Sequence, residues 1–63
     1  MKRKLISQFL EANSIPEVNS IVNANLDFMN ENPELFTFSH QARIRIYNLM
    51  RMKRKYTELI YLN

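Results

Sequence analysis

Arg43, Tyr47, Arg51 and Arg54 recur at i, i+4, i+8 and i+11, so on a helix they form one continuous stripe. Arg45, Lys53 and Lys55 flank it. A planar guanidinium matches phosphate oxygens, and a tyrosine among arginines can stack on a base or hydrogen-bond to a phosphate. The chemistry this implies is polyanion binding, nucleic acid first. The competing reading is a solvated face, with Lys and Arg favoured toward a helix C-terminus. Charge segregation weighs against it. Residues 5–42 hold no Lys or Arg but carry Glu11, Glu17, Asp27, Glu31 and Glu34. All nine bases lie in Lys2-Arg3-Lys4 or between Arg43 and Lys55. In an up-down-up bundle the first and third helices start at the same end. Lys2, Arg3 and Lys4 are therefore expected to join Arg43 and Arg45 in one patch.

Ser39-His40-Gln41-Ala42-Arg43 could open a recognition helix, since Gln and Arg suit adenine and guanine. The turn argues otherwise: residues 31–38 exceed the usual connection of about 3–4 residues, and the chain has no glycine. His40 could serve catalysis only beside a nucleophile and an orienting acid. Ser39 and Glu34 are near in sequence, but so short a chain is not expected to enclose a pocket of even ~300 Å³. The spaced carboxylates offer no metal-ligand pair, and one histidine without cysteine makes no structural zinc site. Neither an enzyme nor a cofactor is expected.

Met29, Met50 and Met52, with Phe9, Phe28, Phe36 and Phe38, could form an adaptable binding surface, but such residues are more often core. Tyr56, Leu59, Ile60, Tyr61 and Leu62 are apolar almost all round a helix, and a chain of 63 residues cannot cover them all. Tyr56, Leu59, Ile60 and Tyr61 are the expected dimer or partner interface.

Three helices must position these groups. Leu5, Ile6, Phe9 and Leu10 place helix 1 at about residues 2–12, ending on Asn13, which tolerates the left-handed conformation. Ser14-Ile15-Pro16-Glu17 reads as a capping box, with Ser14 accepting from the Glu17 amide and Glu17 reaching back to the Ser14 amide. Helix 2 then covers about 15–30, with Val18, Ile21, Val22, Leu26 and Met29 on one face, and stops before Pro33. Asn32-Pro33-Glu34-Leu35-Phe36 suggests a single turn, with Leu35, Phe36 and Phe38 plugging one end of the core. Ser39 or Thr37 caps helix 3, about 39–62. Its seam of Ala42, Ile46, Leu49, Lys53, Tyr56 and Ile60 is heptad-like, with Lys53 the misfit.

Length and composition bound the rest. A core of this size rarely supplies more than about 3–5 kcal/mol, and zero cysteines close the disulfide route to more. Dimerisation or docking remains. Met1 to Ile6 begins like a signal peptide, but Gln8, Glu11 and Asn13 interrupt it, and no run approaches the roughly 18 apolar residues of a spanning helix. The expected class is thus an all-α three-helix bundle completed by dimerisation, cytoplasmic and off the membrane. Its expected function is regulatory nucleic-acid binding through helix 3. The alternative is a regulator or inhibitor that docks helix 3 and the apolar C-terminal segment on an acidic surface of a larger protein.

Overall fold

A computed structural model describes the backbone of residues 1–62 and the side chains of residues 1–54. These residues form α1 (Lys2–Glu11), α2 (Ile15–Ala24), α3 (Leu26–Glu31) and α4 (Leu35–Leu62), with no strand among them. No described helix is long and apolar enough to cross a membrane.

In α1, Leu5 and Phe9 stand one turn apart and are both buried. The helix stops at Ala12, whose backbone turns extended at φ −63°, ψ 137°. The expected left-handed stop on Asn13 is not used. No described residue has positive φ.

Ser14 caps α2 as its sequence implies, its Oγ accepting from the Glu17 amide at 3.2 Å. The return arm differs by one residue: Glu17 Oε2 accepts from the Asn13 amide at 2.9 Å, not from Ser14. Pro16 sits in the first turn, where its missing N–H costs nothing. Ser14→Ala should lower unfolding free energy by about 1 kcal/mol. An unchanged denaturation midpoint would show that this cap contributes nothing to stability.

The expected single helix over 15–30 is broken at Asn25. There the backbone, at φ −125°, ψ 20°, bonds to the Val22 carbonyl three residues back. The Asn25 side-chain amide takes the Ile21 carbonyl, four residues back, at 2.7 Å. Asn32 ends α3 similarly, its side chain donating to the Phe28 carbonyl at 2.9 Å. At α2 the side chain satisfies the Ile21 carbonyl in place of a backbone amide, whereas the Phe28 carbonyl also takes the Asn32 backbone amide at 3.1 Å; neither end uses a left-handed residue. The break also splits the expected apolar face. Val18 and Met29 are buried, Ile21 and Val22 partly so, and Leu26 is exposed.

The last helix starts at Leu35 rather than at Ser39. The expected short turn is present, with Leu35 and Phe36 amides bonding to the Asn32 and Pro33 carbonyls, but it runs straight into α4. Ser39 caps nothing. It is buried, and its hydroxyl donates to the Phe36 carbonyl at 2.7 Å, which removes the cost of burying it. Leu35 is fully buried, with Phe36 and Phe38 packed partly against the core, so this segment does close one end.

Both α1 and α2 pack on α4, where Ala42 and Ile46 are buried. Their lengths decide the shape. Ten residues make α1 ~15 Å long, whereas the 28 of α4 make ~42 Å. The molecule measures 51 × 16 × 15 Å, because the second half of α4 outruns its neighbours. Leu49 and Met50, just past the bundle, are 54% and 60% exposed. The seam continues in sequence, but the cover ends.

Candidate functional site

Two arginines of the basic helix are held by partners elsewhere in the fold. Arg43 donates through Nε and Nη2 to Asn19 Oδ1 at 3.0 and 2.9 Å, tying α4 to α2. Arg45 Nη2 donates to the carbonyls of Phe9 and Ala12 at 3.2 and 2.8 Å. Those oxygens close the C-terminal end of α1, where unpaired carbonyls concentrate negative charge. Both arginines, expected to contact nucleic acid, are therefore engaged within the fold.

The single basic patch expected from both ends of the sequence does not form. Lys2 Nζ lies 2.8 Å from Glu34 Oε1, beside the start of α4. Arg45 lies at the opposite end of α1, about 15 Å along its axis. The hydrogen bond from Lys2, then one from the backbone, holds the Glu34 carboxyl below its ordinary range. Both partners are about half exposed, so solvent screens the pair. Arg3 and Lys4 are exposed on the first turn of α1.

Tyr47, Arg51 and Arg54 do come together. With Met50 they line a shallow cleft of about 190 Å³ on the projecting half of α4. Tyr47 is 59% exposed, and no carboxylate lines the cleft among the described residues. Lys55 and the interface residues Tyr56, Leu59, Ile60 and Tyr61 belong to the α4 backbone, but their side chains lie outside the described residues.

A second surface lies on another side of the helix. Leu10, Ala12 and Asn13 from the end of α1 face Arg45, Ile46, Leu49, Met50 and Lys53 across an open groove of about 420 Å³. A smaller hollow of about 240 Å³ shares Leu10 and Arg45 and reaches back to Phe38 and Ala42. By helical periodicity, Tyr47, Arg51 and Arg54 stand roughly 80–140° around α4 from Ile46, with Leu49 and Lys53 on the other side. Met50 lies between them and lines both, so the two surfaces adjoin. Leu10, read from sequence as core, is 64% exposed on the groove rim. Its position next to buried Phe9, at the edge of the α1 stripe, was the available signal.

No known protein family, curated protein or solved structure matches this chain. His40 is exposed while neighbouring Ser39 is buried and bonded to the backbone, so the two do not assemble a reactive pair. Among the described residues no three metal-binding side chains cluster. The large groove is open to solvent rather than enclosed, and what the surface offers is contact: a basic cleft and an apolar groove.

Proposed function

We propose that this chain is a small non-enzymatic regulatory protein that binds nucleic acid through the basic face of α4, acting in the cytoplasm as a homodimer. The observation carrying this reading is the cleft in which Tyr47, Arg51 and Arg54 come together, with no carboxylate among its described lining residues. Two guanidinium forks suit successive phosphates, and the exposed phenol between them can stack on a base or bond to the backbone. The helix projects clear of the bundle, so it can lie along a groove or a strand.

The contiguous exposure of Leu49, Met50 and Met52 on the same half of α4 favours a second reading. In it, the projecting helix docks as a regulator or inhibitor on an acidic, grooved surface of a larger protein. Salt separates the two. Binding to random DNA or RNA should weaken steeply with salt, with a slope of about 0.9 per phosphate neutralised on duplex DNA. Replacing both Arg51 and Arg54 by Ala should weaken binding on every sequence and lower that slope by about two. If the double variant binds as well as the parent, or if the parent binds no nucleic acid, the protein-docking reading takes over.

A further inference from the structure

We infer that the nucleic acid taken by this face of α4 is single-stranded, with an unstacked base lying on the Tyr47 ring and an adjoining phosphate on Arg51. This rests on the nucleic-acid reading above and narrows it to one form of the polymer. Ile44, Tyr47 and Met50 follow one another at i, i+3 and i+6, so they make a ridge on the helix with the phenol in the middle. All three are uncovered, Ile44 the least so at 47% exposed. The ridge runs ~9 Å along the axis. Arg51, also exposed, stands one turn beyond Tyr47.

The neighbours of Tyr47 decide between duplex and single strand. A duplex keeps its base faces stacked on one another and offers phosphates, sugars and base edges. A helix laid in its major groove reads those edges through donors and acceptors. Beside Tyr47, Ile44 supplies neither, and the Met50 sulfur is only a weak acceptor. Asn48, the nearest amide, stands about 100° round the helix. Pressing Ile44 and Met50 on phosphates or base edges would strip water from polar atoms and return no hydrogen bond. A single strand offers what a duplex withholds, the flat faces of its bases. Each described residue lining the cleft packs well on such a face: the phenol by stacking, Met50 by its thioether, Arg51 and Arg54 by their guanidinium planes. Covering Ile44 and Met50 with neighbouring bases then adds to binding instead of opposing it. Every base has such a face, so the contact tolerates sequence.

Fluorescence anisotropy of labelled oligo-dT and of its duplex with oligo-dA is the test, and a parallel series with oligo-U and its duplex with oligo-A tells DNA from RNA. The single strand should bind at least about tenfold more tightly than its duplex in one series or both. Tyr47→Ala should weaken single-strand binding about tenfold, whereas Tyr47→Phe keeps the ring and should bind like the parent. Neither change removes a phosphate contact, so the salt dependence should stay that of the parent. An abasic strand of the same length should bind the parent and Tyr47→Ala alike. Tyr47 is exposed, so both variants should keep the parent's helical signal. Tighter binding of the duplex in both series overturns the proposal and leaves nucleic-acid binding standing. So does equal weakening by Tyr47→Ala and Tyr47→Phe, which would give the contact to the hydroxyl rather than the ring. A parent that binds neither form overturns the proposed function itself, and this inference with it.

Discussion

Phe9→Ala should leave the chain unfolded at 25 °C. Phe9 is 1% exposed and lies at the junction of α1 with the core. Truncating a buried phenylalanine costs about 3–5 kcal/mol, from lost burial and the cavity left behind. A single core of this size supplies about the same amount. The far-ultraviolet circular dichroism signal of the variant should therefore fall to that of an unfolded chain. Leu10→Ala, one residue on, is the control: that side chain is already 64% exposed within one copy and should leave the helical signal in place. A cooperative, parent-like melting curve for Phe9→Ala would mean that the chain draws most of its stability from elsewhere, with self-association the first place to look.

Arg45→Ala should destabilise the fold, whereas Arg51→Ala should not. Arg45 makes two hydrogen bonds to the end of α1, and hydrogen bonds to charged groups are each worth about 1.5–3 kcal/mol. Because the groove admits water to those carbonyls, the expected loss is about 1.5–3 kcal/mol in all. Arg45→Lys keeps the charge but not the geometry of the fork and should recover part of it. Arg51 is exposed on the projecting helix, and alanine there is the better helix former. Urea titration of the three variants checks the contrast. Equal midpoints for Arg45→Ala and the parent would show that water replaces the guanidinium at no cost.

That contrast marks where sequence reading stops. Arg43, Arg45, Arg51 and Arg54 look equivalent along the chain. Arg43 and Arg45 are engaged by an Asn19 side chain and by α1 carbonyls 24 to 36 residues away, partners that only tertiary packing selects. Local chemistry was more legible. Ser14, Pro16 and Glu17 specify the start of α2 because cap, proline and acid act within one turn of each other. The spacing of Leu5 and Phe9 gave the buried face of α1 for the same reason. The break at Asn25 escaped because Ile21, Val22, Leu26 and Met29 keep helical spacing straight through it. Periodicity reports which residues are apolar, not whether a side-chain amide has displaced a backbone bond. Ser39 misled in the opposite direction: a serine ahead of a helical pattern reads as a cap, yet it can bury itself by bonding to the preceding turn. The seam through Leu49 was legible as an apolar line, but its exposure depends on the length of α1, which sets where the cover ends.

The asparagines that close α2 and α3 bear on how the molecule ages. Asparagine deamidates when the next backbone nitrogen attacks its side-chain amide, a step fastest before glycine because nothing hinders the approach. This chain has no glycine. Asn25 precedes the bulky Leu26, and Asn32 precedes Pro33, whose nitrogen has no hydrogen to lose. Both amides are also held on carbonyl oxygens, at 2.7 and 2.9 Å. Conversion to aspartate would replace each donor by a carboxylate facing a carbonyl, at the end of a helix that disfavours negative charge. The composition that leaves the ends of α2 and α3 to asparagine thus also slows the reaction that would undo them.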